Sequence, residues 1–273
     1  MQDRQAPPAT AADIANGFVA ARRAARPLAH FPGELPASLD AAYAVQDEAI
    51  RLWGAPVVGW KVALIHPDLR ARHGGEERLV GPVFAGTLVD ARNGPVEAPV
   101  FDGGFAAIEA ELAVRLGADL PTREAPYRLD DVVRVVEDLF LAVEVASSPL
   151  ATINDLGPTA VISGFGNNAG IILGPAVTGW RDAPPEALAT RVVIDGETVG
   201  EGNAAKVPGG PLGALVFAAN CLSSRGRGLK AGDIVSTGAT TGIHPVRPGM
   251  AALVSSPAAG ELRLSVTRAV GEG

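Results

Sequence analysis

Residues 108–114 read "IEAELAV". Glu109 and Glu111 alternate with Ile108, Ala110 and Leu112. A period of two is that of a β-strand, in which residues i and i+2 share a face. One face of this strand is therefore apolar, and the other carries two neighbouring carboxylates. One reading is a half-buried strand whose polar edge faces solvent. The surroundings favour another, because "GGFAAIEAELAV" offers few other polar residues for a wetted face. A third carboxylate, Glu144, lies in the apolar run "LFLAVEVASS". Buried acids need partners. Glu109, Glu111 and Glu144 together call for a cation, and an all-oxygen donor set suits a hard ion, Mg²⁺ or Mn²⁺. His30, His66, His73 and His244 show no zinc-binding spacing.

Working outward, helices are expected early and strands late. "TAADIANGFVAARRAARPL" (10–28) has a Thr cap and ends towards Pro27, and "SLDAAYAVQDEAIRLW" (38–53) ends at Gly54. "PVVGWKVALI" alternates like a strand, and "HPDLRARHGG" is a short helical turn. "GPVFAGTLVD", "VEAPVF" and "AAIEAELAVRL" read as strands. "RLDDVVRVVEDLFLAVEVASS" begins as a helix and becomes a strand near "LAVEVAS". "TAVISGFG", "AGIILGPAV" and "RVVIDGETVGEG" look β-rich, the last with a hairpin turn at Asp195-Gly196. "GPLGALVFAANCLSSRG" is a helix with Pro211 in its first turn, and a hairpin closes the chain. The pattern is α+β with a mixed or antiparallel sheet, not regular βαβ alternation. A single catalytic domain over 1–273 is expected, with a helical N-terminal region (1–55) capping a β-rich metal-binding core (56–273).

Composition narrows the function. The 273 residues carry a net charge of −7, with 47% hydrophobic and 5% aromatic residues. That balance argues against a nucleic-acid surface. The basic patch "AARRAAR" (20–26) reads as a solvated helix face. The lone Cys221 and the lack of a signal-like N-terminus fit a cytoplasmic setting, and no apolar run is long enough to span a membrane.

Lys61 shares a strand face with Gly59 and Ala63. An exposed strand lysine is the commoner case. Near a metal in a dry cleft its pKa would fall, and it would serve as acid or base. "GFGNNAG" (164–170) lacks the strand–turn–helix context of a dinucleotide site, so its glycines serve tight turns or close backbone approach to a small ligand. The hydroxyl-rich loop "STGATTG" (236–242) is a plain turn or a carboxylate-binding loop.

The segments "AAYAVQ", "VGWKVAL", "IEAEL", "AVEVASS", "NNAG…ILG", "GGPLGALVFAANCL" and "AGDIVSTGATTGIHPV" occur in this order over nearly the whole chain. Together they resemble the 2-keto-4-pentenoate hydratase / 4-oxalocrotonate decarboxylase family of the fumarylacetoacetate hydrolase superfamily. The resemblance implies a mixed β-rich roll or barrel around a Mg²⁺ or Mn²⁺ site, with Glu109, Glu111 and Glu144 as ligands. It implies acid/base work by Lys61 and substrate-carboxylate binding near Thr240 and Thr241. The substrate would be a small 2-hydroxydienoic or 2-oxo acid from aromatic-ring breakdown, taken by hydration, decarboxylation or C–C hydrolysis. A homo-oligomer is implied, or a complex with a related decarboxylase or hydratase; a non-catalytic metal-binding partner subunit is a further reading. One position departs: Leu79, in "EERLVGPVF", stands where the family's hydratases carry an acid. Glu77 is the nearby candidate for proton transfer with Lys61, and Lys206 is a further candidate for substrate binding.

Overall fold

A computed structural model of the chain describes residues 10–92 and 94–272. The first nine residues of the expected helical region lie outside the described residues. The elements, in chain order, are α1 (Ala11–Arg23), α2 (Leu39–Trp53), β1 (Val57–Leu64), α3 (Pro67–Arg70), β2 (Arg78–Phe84), β3 (Leu88–Asp90), β4 (Val96–Val100) and β5 (Phe105–Leu116). There follow α4 (Leu129–Val133), β6 (Val136–Ser148), α5 (Pro158–Ser163), β7 (Asn168–Ala176), β8 (Ala189–Ile194) and β9 (Glu197–Asn203). The chain ends with α6 (Gly210–Ser224), β10 (Ile234–Ser236), β11 (His244–Pro245), β12 (Ala251–Ser256) and β13 (Gly260–Arg268).

Two mixed sheets result. The larger runs β2-β1-β10-β5-β6-β7-β3, with β11 also paired to β5. The smaller runs β4-β13-β12-β8-β9. This is the expected α+β, β-rich fold with helices leading. Strand β5 is buried along nearly its whole length. Its Ile108 and Ala110 join Leu141, Val143 and Val145 of β6 in a core shared with Val192, Val254, Leu262 and Val266 of the smaller sheet. Leu112, Val114 and Leu116 pack instead in the core formed with the helices. The apolar half of the opening alternation is thus used up by the core, and the other half must face something else.

Four local readings change. Helix α1 stops at Arg23, four residues before Pro27. Arg26 N–H donates to Ala21 O and Ala25 N–H to Arg22 O, while Ala25 takes φ +47°. That is a left-handed C-terminal cap, here made without glycine. The β-branched run in "TAVISGFG" folds as helix α5, not a strand: Pro158 sits in its first turn, and packing of Ala160 and Ile162 into the helical core overrides β-propensity. Strand β6 begins at Val136, earlier than expected. The patch "AARRAAR" is not wholly solvated, because Arg22 is buried. Among the described residues no helix is long and apolar enough to cross a membrane.

Candidate metal centre

Register builds the centre. On the antiparallel pair β5–β6, Glu109 lies directly opposite Glu144, and Glu111 is two residues along on the same face. Like charges placed directly opposite one another repel. All three are buried, Glu111 and Glu144 completely. One carboxylate oxygen from each lies within 4.8 Å of those of the other two. Lys61 comes from β1, where it pairs with Ser236 of β10, which in turn pairs with Ala113 of β5. Its buried Nζ reaches back to within 3.0 Å of Glu144 Oε1. That contact is ionic rather than an aligned hydrogen bond, since both Glu144 oxygens lack a hydrogen-bond donor. Ser236 Oγ donates to Glu111 Oε2, and Gly238 N–H donates to the same atom at 2.9 Å. Glu111 Oε1 is left buried without a partner.

Burial pushes the Glu109 carboxyl up to about 8, helped by the charge of Glu144 and opposed by Lys61. Glu111 is raised by burial and by both neighbouring acids, and Glu144 is raised by burial against the pull of Lys61. The electrostatics of Lys61 depend on whether a cation is bound. Burial alone would lower its pKa, but Glu144, Glu109 and Glu111 together outweigh burial and raise it. Without a cation the acids thus favour the ammonium form; a bound cation would offset their charge and leave burial to pull the lysine down.

Once all three carboxyls ionise, three carboxylates and one ammonium would carry a net charge of −2, which one divalent cation balances. The orphaned oxygens of Glu111 and Glu144 supply unused acceptors. An oxygen-only set fits Mg²⁺, Mn²⁺ or a similar hard ion. The residues present therefore fit the expected group.

A cavity of about 540 Å³ opens onto this centre. Lys61 and Glu109 form its floor, and Ala63, Ile65, Leu79, Pro158, Val161 and Val207 form apolar walls. His66, Arg70, Asn154 and Asn167 are its remaining polar lining side chains. Other expected residues stand elsewhere. Glu77 is half-exposed and pairs with Arg70 and Arg78, outside the cavity lining, so the structure does not bring it to Lys61. Lys206 is exposed on a short turn, and its neighbour Val207 lines the cavity instead. The Thr240 hydroxyl is spent on Thr190 Oγ1 at 2.6 Å and Ala110 O at 2.8 Å. Thr241 bonds His244 Nε2 at 3.0 Å. The loop meets the cavity through Gly238, Ala239 and Ile243. Sequence reasoning missed Asn154 and Asn167; the doubled asparagine of "GFGNNAG" was the available signal.

A family model described as fumarylacetoacetate (FAA) hydrolase, C-terminal, matches residues 83–267. The chain belongs to the fumarylacetoacetate hydrolase family. Within it, the chain is 29% identical over 236 residues to 2-keto-4-pentenoate hydratase 2 of Dechloromonas aromatica, covering 82% of this chain and 85% of that protein. It is 30% identical over 205 residues to 4-oxalocrotonate decarboxylase of Pseudomonas putida, covering 72% of each. A solved 4-oxalocrotonate decarboxylase from Pseudomonas putida G7, complexed with magnesium and adipate, has the same fold, with a TM-score of 0.78 at 24% identity over 94% of this chain and 97% of that one. These named hydrolase-family relatives are enzymes, and the family match covers both glutamate strands while leaving Lys61 before it.

Proposed function

We propose that the chain is a divalent-metal-dependent hydro-lyase that adds water to a 2-hydroxy-2,4-dienoate, giving a 4-hydroxy-2-oxo acid in aromatic catabolism. The observation that carries this reading is the contrast inside one cavity. Its floor is charged, and its walls around Leu79, Pro158 and Val161 are apolar. A dienoate has the same two ends, a carboxylate with a 2-oxygen and an unsaturated hydrocarbon tail.

Glu109, Glu111 and Glu144 would hold the ion, which as a Lewis acid favours charge on the substrate's 2-oxygen. Lys61 supplies a proton to C5 while the 2-hydroxyl gives its proton up, so the dienol becomes the 2-oxo-3-enoate with no net change in protons. Glu144 holds the Lys61 ammonium beside the centre as an ion pair at 3.0 Å. The apolar walls keep bulk water from the diene. The protein would work in the cytoplasm as a homo-oligomer of single catalytic domains.

Decarboxylation of an oxalocrotonate-type dicarboxylate is the second reading, favoured by Arg70 at the cavity wall. That guanidinium is already engaged, by Nε to Ile65 O at 2.9 Å and by Nη1 near Glu77 at 3.4 Å. A second substrate carboxylate would have to share it, so hydration leads. The test is turnover of fresh 2-hydroxypenta-2,4-dienoate with Mg²⁺ and with chelator, products identified by NMR. Metal-dependent 4-hydroxy-2-oxopentanoate is the expected product. Release of CO₂ from the dicarboxylate, with the dienoate untouched, would replace hydration by decarboxylation.

A further inference from the structure

Beside Lys61 the chain makes an unusual turn. Phe165, Gly166 and Asn167 have φ of +65°, +70° and +59° in succession. Left-handed conformations are disfavoured for residues with a Cβ, and a bulky one such as Phe165 adopts them only when its surroundings hold it there. The surroundings here are specific. The Arg22 guanidinium donates to Gly164 O and to Asn168 O, each at 2.9 Å, the carbonyls just before and just after the turn. It also donates to Ser147 O at 3.2 Å and lies over the Phe165 ring, 5.0 Å from its centroid. On the other side the turn presses against β2. A Cβ on Gly81 would stand 2.4 Å from Phe165 O and 2.8 Å from Gly166 Cα, so only glycine fits there. A Cβ on Gly166 would lie 3.4 Å from Lys61 Cδ, which places the turn against the lysine stem.

This turn presents Asn167 to the cavity. The side chain is only 4% exposed. Its Nδ2 donates to Asn154 Oδ1 at 3.3 Å, and its Oδ1 is buried without a partner. A buried amide oxygen without a donor is destabilising, and such orphans in native proteins call for an explanation. An amide oxygen accepts and cannot donate. What it lacks is an O–H or N–H from a ligand.

We propose that Asn167 binds the water molecule that adds to the substrate, and that Arg22 is the positioning residue that sets Asn167. The proposal rests on the hydratase reading above. Once the dienol has become a 2-oxo-3-enoate, the water oxygen bonds to C4. The C3=C4 electron pair moves to C2–C3 to give the enolate, Lys61 delivers a proton to C3, and the proton lost by the attacking water returns to Lys61. Net addition is one H₂O, with no other reactant. Asn167 Oδ1 accepts a hydrogen bond from that water and directs its lone pair at C4. Next to the apolar Leu79, Pro158 and Val161, the unpartnered Asn167 Oδ1 gives the water a fixed place, because the neighbouring Asn154 Oδ1 is already taken by Asn167 Nδ2.

The experiment separates water addition from proton transfer. Hydration of 2-hydroxypenta-2,4-dienoate is compared with deuterium exchange at C3 of 2-oxopentanoate in D₂O, which needs proton transfer and no added water. Mn²⁺ affinity is read by calorimetry. Asn167→Ala is expected to lower kcat for hydration on the order of 10–100-fold, with exchange and Mn²⁺ affinity unchanged. Asn167→Asp, which keeps the acceptor and the shape, is expected to recover much of the loss. Arg22→Lys is expected to show the same split between hydration and exchange. Parallel loss of both reactions in the Asn167 variants, or hydration at the unaltered rate, would overturn the assignment. Exchange without hydration in the unaltered protein would overturn the hydratase reading and, with it, the role of the water.

Discussion

The two sheets use alternation differently. In the smaller sheet, β12 and β13 alternate between buried and exposed positions, with Val254, Leu262 and Leu264 inward and Glu261 and Arg263 outward. In the larger sheet, β5 alternates just as regularly in chemistry, yet it is buried on both faces. Its glutamates do not mark solvent. They mark a second, charged interior. The same period of two therefore means "surface" in one sheet and "site" in the other, and neighbours in space decide which.

The largest effects should come from exchanging these roles. Glu111→Ala is expected to weaken Mn²⁺ binding by more than about 100-fold in calorimetry. In the metal-free protein it removes a buried like-charge contact but strands the donors Ser236 Oγ and Gly238 N–H, so the melting temperature should change little. Val254→Asp, at a fully buried site of the smaller sheet, should instead cost about 3–5 kcal/mol in denaturant unfolding. Equal destabilisation by the two variants would erase the distinction between the sheets.

Next in size is Lys61→Met. Turnover should fall about 10²–10⁴-fold, while Mn²⁺ binding persists. Retained turnover would remove Lys61 from the chemistry.

A smaller effect follows from Glu109. Its carboxyl is held up to about 8 by burial and by Glu144, against about 4.3 in an unfolded chain. A raised carboxyl stabilises the metal-free fold at low pH, and that contribution is lost as pH rises through about 8. The melting temperature measured in chelator should therefore fall from about pH 5.5 to about pH 8.5. Added Mg²⁺ should raise it most at the alkaline end. Glu109→Gln should flatten the profile; an unchanged slope would assign the pH dependence to other groups.

The smallest change is Arg263→Ala on the outer face of β13. Its pair with Glu261 is exposed, so stability should move by no more than about 0.5 kcal/mol in urea unfolding. A larger loss would show that the outer face of the smaller sheet is covered.

Much of this was legible beforehand, for identifiable reasons. Strands β5 and β6 declare themselves because acids stand where an ordinary strand would hold valine. Helix α2 was readable to within a residue because Ser38 caps its start and the left-handed Gly54 closes its end. Helix α5 was not, since its β-branched residues point one way locally and its packing points the other. Glu77 lies near Leu79 in sequence, but it points to Arg70 and Arg78 across the outer face. Thr240 reads as a free hydroxyl in a loop until Thr190, fifty residues earlier, is found against it. Arg22 looks like one arginine among three in a basic patch. Only the chain's return at Gly164 and Asn168 shows what it holds.

That return has a consequence for the order of assembly. The contacts of Arg22 span 142 and 146 residues of chain, whereas Glu109 and Glu144 meet across a single pair of adjacent strands. Closing a long loop costs more entropy than closing a short one, so the facing glutamates of β5 and β6 can meet in folding before the left-handed turn is closed. A chain at that stage would already offer two of its ion's ligands while Asn167 is still unplaced.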